Sequence, residues 1–225
     1  MASAAGIVLE LRALASQANV QGMARFGMSV DKRLGVAVPE MRRIAKAAGK
    51  DHTAALELWQ TGIAEARIVA AMIALPAQLT EEQMEAWVGD FDSWDVCDQV
   101  CMNLFEKSPL ARRKIVEWST RDEEFVKRAA FALLACVAWH DKRATDEELI
   151  AFLPVIRVGA TDERNFVKKA VNWALRTIGK KNRVLNQAAI ETAREIQRLD
   201  SKAARWIASD ALRELEGEKV RERFT

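Results

Sequence analysis

The sequence contains no tyrosine, and glycine and proline are scarce, at 10 and 4 residues. Because tight turns and hairpins depend on glycine and proline, their scarcity argues against a fold built from many short strands. Alanine, leucine, arginine and glutamate, which favour helices, are abundant instead. The composition therefore predicts an all-α protein.

Long apolar runs and a disulfide framework are also missing. The longest apolar run, residues 68–77, is too short for a membrane-spanning helix, which needs about 20 residues. The first residues carry no positive charge ahead of an apolar run, so no secretory signal is expected. The three cysteines, Cys97, Cys101 and Cys136, are an odd number without scaffold-like spacing, as expected of reduced thiols. We expect a cytoplasmic protein, in the bacterial cytosol or nucleoid, with no membrane partner.

Residue types that hold metals or cofactors are present but not grouped. Cys97 and Cys101 share a helix face, yet no histidine or third cysteine lies nearby in the sequence. His52 and His140 are isolated, and the sequence has no glycine-rich phosphate loop. The sequence therefore predicts neither a metal nor a cofactor.

Positive charge is concentrated in one part of the chain, although the net charge is only +2. Residues 1–111 carry 10 basic and 14 acidic side chains, whereas residues 112–183 carry 16 and 10, and residues 184–225 carry 8 and 8. Such clustering is the footprint of a polyanionic partner. The alternative is a set of solvated helix faces.

A short apolar segment recurs at intervals near 40 residues. Residues 129–134 (AAFALL) align with residues 170–175 (AVNWAL) and with residues 207–212 (IASDAL), and residues 70–75 (AAMIAL) show the same pattern. Periods near 40 with paired helices are typical of HEAT-like or armadillo-like arrays. Because no flexible linker interrupts the pattern, we predict that residues 1–225 form a single HEAT-like repeat domain, an α-solenoid with a concave basic face.

Local signals place helix starts and core aromatics. Threonines followed by acidic residues predict helix starts at Thr80, Thr145 and Thr161. Five of the seven tryptophans are expected to pack between repeats: Trp59, Trp87, Trp118, Trp139 and Trp206.

Residues 93–98 (SWDVCD) are the strongest candidates for chemistry. Trp94 and Asp98 are four residues apart, so a helix would place them on one face. One interpretation is a core tryptophan beside a helix-start acid, since Asp92, Ser93 and Asp95 resemble capping residues. The other is a catalytic carboxylate that stabilises a developing cation or orients a water.

Basic pairs recur within the repeated segments. Lys127 and Arg128 occupy the position that Lys168 and Lys169 occupy in the next unit, which predicts a basic row suited to phosphates. The alternative is the charged ridge of any amphipathic helix. Trp173 is either a core residue or a second exposed indole that could hold a cationic group.

Four stretches, in order between about residue 20 and residue 215, resemble the AlkD-type DNA alkylation repair enzyme family, the HEAT-like repeat alkylpurine DNA glycosylases. The most specific is residues 93–98, which resemble a Ser-Trp-Asp-x-x-Asp signature. The others are residues 23–26 (MARF) with 34–42 (LGVAVPEMR), residues 125–130 (FVKRAA) and residues 166–176 (FVKKAVNWALR).

The resemblance implies a role for each candidate residue. Trp94 and Trp173 would flank the sugar of the lesion nucleotide, Asp98 would be the catalytic carboxylate, and Arg128 would hold a backbone phosphate. Phe26 stands where family members can carry a tyrosine. Further DNA-backbone contacts are expected from Lys127, Lys168, Lys169, Arg42 and Arg176.

The implied activity is that of a monofunctional DNA glycosylase, which hydrolyses the N-glycosidic bond of cationic N3- or N7-alkylated purines in double-stranded DNA and leaves an abasic site. The rival interpretations are a non-catalytic module that binds distorted or branched DNA and a protein-interaction scaffold. No obligatory protein partner is implied.

Overall fold

In the computed structural model, residues 3–224 are described, and every regular element in that range is a helix. The all-α prediction is therefore confirmed. Between these residues, none of the helices has the length and apolar character needed to cross a membrane. The helices form two compact units, one ending at Pro109 and the other beginning at Leu110. That both units act as one domain stays a prediction.

The first unit is organised around one buried helix. Its α-helices are α1 (Ala4–Ala13), α2 (Gln17–Ala24), α3 (Val38–Ala48), α4 (His52–Gln60), α5 (Ala64–Ile73), α6 (Glu81–Gly89) and α7 (Trp94–Asn103), with 3-10 turns at Pro76–Gln78 and Phe105–Lys107. Helix α5 packs against α3, α4 and α7, and most of its residues are buried. Its alanines allow the neighbouring helices to approach closely.

The second unit contains the repeated segments. Its helices are α8 (Ala111–Ser119), α9 (Glu124–His140), α10 (Asp146–Ala151), α11 (Leu153–Gly159), α12 (Asn165–Gly179), α13 (Arg183–Gln197), α14 (Lys202–Leu215) and α15 (Glu218–Arg221), followed by a 3-10 turn at Glu222–Phe224. The aligned segments lie in α9, α12 and α14, and α12 packs against both of the others. The repeat in sequence thus corresponds to a repeat of packed helices.

Two of the three predicted helix starts are confirmed. Thr80 forms a capping box with Gln83, and the Thr145 hydroxyl accepts a hydrogen bond from the Glu148 amide. The prediction at Thr161 is wrong, because α12 begins at Asn165 and the Thr161 hydroxyl donates to a carbonyl of the preceding turn.

The tryptophans divide into core and surface groups. Trp59 and Trp87 stack in parallel with centroids 3.9 Å apart, and Trp118 is also fully buried. Trp139 is 63% exposed, so the prediction that it packs between repeats is wrong, whereas Trp206, 41% exposed, meets the neighbouring unit at Lys168.

Candidate active site and nucleic-acid interface

Helix α7 has a buried apolar face and a second face that carries Trp94 and Asp98. Val96 and Cys97 are completely buried, as their apolar character requires. Trp94 and Asp98, one turn apart, are only half-buried. The apolar pair inside the motif therefore serves the core of the first unit, while Trp94 and Asp98 lie on the face that a ligand can reach.

The start of α7 is held by a buried arginine. Arg33 donates from Nη1 to Asp95 Oδ2 at 2.7 Å and from Nη2 to Asp95 Oδ1 at 2.9 Å. Ser93 donates to the same carboxylate at 2.5 Å and accepts from the Ser29 amide at 3.3 Å. The Arg33 side chain is 1% exposed and that of Asp95 14%. Such bidentate charge-assisted pairs fix geometry strongly, so Asp95 positions the helix.

A second buried carboxylate holds the other side of the same loop. Glu65 on α5 is 1% exposed and accepts hydrogen bonds from the amides of Leu34 and Gly35 at 2.9 and 2.7 Å. Gly35 has a φ of +79°, and a Cβ there would lie 2.4 Å from the Ser16 carbonyl oxygen. Only glycine fits this position. The loop before α3 is thus fixed between Glu65 and Asp95.

Phe26 lies at the surface beside Trp94. Its carbonyl accepts a hydrogen bond of 3.1 Å from Trp94 Nε1, while its ring is 72% exposed. Arg42 on α3 is also exposed. The first unit therefore places Phe26 beside Trp94, which lies one helical turn before Asp98. That these three residues bind a lesion stays a prediction.

The basic residues of α9 are less accessible than a simple basic row implies. Lys127 pairs with Asp162 at 3.2 Å. Arg128 is 6% exposed, and its Nη1 donates to the Phe166 carbonyl at 2.6 Å. Although burial raises the pKa of Asp162, hydrogen bonds from Arg164 and Lys127 outweigh burial and lower that pKa to about 2. Lys127 and Arg128 thus connect α9 to Asp162 and Phe166, at and just before the start of α12.

The basic residues of α12 differ in their contacts. The Lys168 ammonium lies 5.0 Å from the centre of the Trp206 ring, a cation–π contact between α12 and α14. Arg176 pairs with Glu214 at 2.6 Å. Lys169 projects from the surface. A phosphate would reach Lys169 most directly and would compete with carboxylates for Arg176.

Trp173 is half-buried on α12, and one side of it faces a recess of about 440 Å³ in the second unit. It is therefore not a simple core residue. Trp94, Asp98, Phe26 and Arg42 belong to the first unit, whereas Trp173 and the remaining predicted residues belong to the second. The convergence of both sets on one concave surface stays a prediction.

Sequence reasoning missed Arg33 and Glu65, which position the loop and α7. Within residues 3–224, no group of three or more histidine, cysteine, aspartate or glutamate side chains is placed to hold a metal ion. On α7 a carboxylate, that of Asp98, lies one helical turn from an indole, that of Trp94.

Comparison with solved structures identifies the repeat fold. A protein described as belonging to a new family related to the HEAT-like repeat DNA glycosylases, with affinity for branched DNA structures, superposes with a TM-score of 0.77. It is 21% identical, and the alignment covers 94% of this chain and 95% of that one. A designed armadillo repeat protein in complex with the peptide (KR)4 gives a TM-score of 0.39 at 15% identity, covering 81% and 82% of the two chains.

The HEAT-like helical fold predicted from the repeats is thereby confirmed. No curated protein sequence gives a significant match. The profile of the DNA alkylation repair enzymes, in contrast, matches residues 7–215. The chain belongs to the DNA alkylation repair enzyme family.

Proposed function

We propose that the protein is a monofunctional DNA glycosylase that excises cationic N3- or N7-alkylated purines from duplex DNA and leaves an abasic site. The observation that carries this proposal is the placement of Trp94 and Asp98 on one accessible face of α7. Membership of the DNA alkylation repair enzyme family supports it. As an enzyme of chromosomal DNA, it would act in the cytosol or nucleoid.

The proposed chemistry needs little from the protein besides electrostatics. An alkylated purine that carries positive charge is already a good leaving group, so no strong general acid is required. Departure of the base leaves an oxocarbenium-like sugar, which a carboxylate stabilises while it orients the attacking water. We assign this role to Asp98. The electron-rich faces of Trp94 and Trp173 would contact the cationic nucleotide through cation–π interactions.

The rest of the predicted set would bind the DNA strand. Phe26 presents an apolar ring next to Trp94, suited to contact with a distorted base step. Lys169 and Arg42 are exposed to solvent, where a phosphate can reach them. Other phosphate contacts would come from residues that already have a protein partner: Lys127, Arg128, Lys168 and Arg176. Because the contacts of these basic residues would be to the DNA backbone, the DNA affinity would depend on salt concentration more than on base sequence.

A second candidate function is binding of distorted or branched DNA without excision. It is favoured by the structural relative described as having affinity for branched DNA structures. Both functions would use the same basic residues for DNA binding, and they differ in whether Asp98 takes part in hydrolysis of the N-glycosidic bond. A protein-interaction scaffold is the third possibility.

Release of 7-methylguanine from methylated duplex DNA distinguishes the three. The glycosylase releases the free base and leaves alkali-labile abasic sites at the same positions. Binding to methylated duplex at low salt with no release at micromolar protein would contradict the enzyme and favour the binding module. Absence of DNA binding at low salt would leave only the scaffold.

A further inference from the structure

The recess beside Trp173 has features that base excision does not use. It lies in the second unit, where the C-terminal ends of α9 and α12 meet the last residues of the chain. Its volume of about 440 Å³ is within the range of small-ligand sites. Its larger lining side chains are aromatic, hydroxyl or cationic: Trp139, Trp173, Thr177, Lys180, Lys181 and Arg223.

Trp139 provides a stacking surface at the mouth of this recess. It lies in the last turn of α9 and is 63% exposed. Its indole stacks on His140, the next residue of the helix, with a centroid distance of 5.0 Å and an interplanar angle of 21°. The exposed indole therefore offers an aromatic face for contact with a planar ligand.

Two of the three cations that line the recess make hydrogen bonds that orient them. Lys181 donates from Nζ to the carbonyls of Ala138 at 2.9 Å and Asp141 at 3.3 Å, at the end of α9. Hydrogen bonds to carbonyls orient the ammonium but leave its full charge. Lys180 pairs with Glu214 at 2.8 Å, so it contributes less net charge. Arg223 is exposed.

We propose that this recess binds an unpaired nucleotide of a DNA strand. The base would stack on Trp139, and its phosphate would lie against Lys181 and Arg223. Aromatic faces combined with cations are the usual means of holding single-stranded nucleic acid, because every base offers a π-face and every link a phosphate. An acidic peptide would use the cations but not the indoles. The inference rests on the proposed function only in taking DNA as the partner, and it is independent of excision at Asp98.

Fluorescence anisotropy with two labelled probes tests the proposal. One probe is a blunt duplex, and the other is the same duplex extended by a short single-stranded thymidine arm. The wild type should bind the armed duplex at least about fivefold more tightly, the effect of stacking one base. Trp139→Ala and Arg223→Gln should each remove most of this preference and leave affinity for the blunt duplex unchanged. Both side chains are exposed, so the folded state should tolerate the changes.

Arg221→Gln is the matched control, because Arg221 is an exposed arginine two residues away that does not line the recess. It should keep the preference for the armed duplex. The proposal is overturned if the wild type does not prefer the arm, if Trp139→Ala keeps the preference, or if all three variants weaken both probes equally. Loss of the preference in Trp139→Ala with no base release by the wild type would support the recess and contradict the glycosylase.

Discussion

Arg33 binds Asp95 through both terminal nitrogens of its guanidinium, across 62 residues of sequence. The pair joins the loop before α3 to the first turn of α7. The two aspartates of residues 93–98 therefore have different positions. Asp95 is bound to Arg33 and holds the start of the helix, whereas Asp98, one turn further along, lies on its accessible face. The positioning of the proposed catalytic carboxylate therefore depends on a salt bridge in the first unit.

Removing Arg33 should be costly. In Arg33→Met the Asp95 carboxylate loses its buried partner, and we expect the free energy of unfolding to fall by about 3 kcal/mol. Urea denaturation followed by far-UV circular dichroism measures this loss. Arg33→Lys keeps the positive charge but cannot bind both carboxylate oxygens of Asp95, so it should recover only part of the lost free energy of unfolding.

Arg43→Met is the matched control, because its ion pairs with Glu10 and Glu40 lie at the surface. Exposed pairs of this kind contribute little to stability, so Arg43→Met should lower the free energy of unfolding far less than Arg33→Met does. Equal losses in Arg33→Met and Arg43→Met would show that the buried pair has no special structural role.

Phe26 should matter for DNA and not for folding. Because its ring is 72% exposed, Phe26→Ala should change the free energy of unfolding by less than about 0.5 kcal/mol. Its affinity for duplex containing 7-methylguanine should nevertheless fall severalfold in a fluorescence anisotropy titration. Unchanged affinity would remove Phe26 from the proposed interface.

Trp94→Phe separates the ring from its hydrogen bond. The variant keeps an aromatic face but loses the bond from Trp94 Nε1 to the Phe26 carbonyl. We expect a stability loss of about 1 kcal/mol in urea denaturation and faster proteolysis in the loop that contains Phe26. Proteolysis at the wild-type rate would mean that this bond does not hold the loop.

The Asp162 carboxylate should make stability depend on pH at the acid end. Its pKa in the folded protein is about 2, below its ordinary value of 3.8, so the charged form is stabilised by folding. This contribution is complete above the ordinary value and is lost as the pH falls toward 2. The difference in free energy of unfolding between the wild type and Asp162→Asn should therefore shrink as the pH falls from about 5 to about 2.5. A difference that stays constant over this interval would contradict the assigned pairing.

Lys169 should contribute a phosphate contact. In Lys169→Met, the slope of log affinity against log salt concentration should become less negative by about 0.9, the value for one lost phosphate contact. Lys142→Met removes another exposed charge, outside the predicted row, and should leave the slope unchanged. The same change of slope in both variants would indicate a general effect of charge.

Features with local or periodic signals could be predicted from the sequence. The aligned segments around residues 131, 172 and 209 identified the packed helices α9, α12 and α14, because core-facing small and large residues recur with the repeat. The helix start at Thr80 could also be predicted, because a threonine followed by acidic residues is a local capping signal. Trp94 and Asp98 were recognisable because helical spacing puts them on one face.

Long-range polar contacts left no such signal. Arg33 and Glu65 act from a loop and from a buried helix, and nothing in their local sequence distinguishes them from solvated charges. Thr161 failed as a helix start because its hydroxyl donates to the Val158 carbonyl of the preceding turn and α12 begins only at Asn165. Trp139 and Trp206 were expected to pack between repeats, whereas Trp139 stacks on its sequence neighbour His140 at the surface and Trp206 lies beside Lys168.

The most direct test of the central claim is the rate of 7-methylguanine release by Asp98→Asn. We predict a rate at least about 100-fold below that of the wild type, because the amide cannot stabilise the cationic sugar. Duplex affinity should be retained, and Asp92→Asn, which removes an exposed carboxylate near the start of the same helix, should release base at the wild-type rate. Release by Asp98→Asn at the wild-type rate would contradict the assignment of catalysis to this carboxylate.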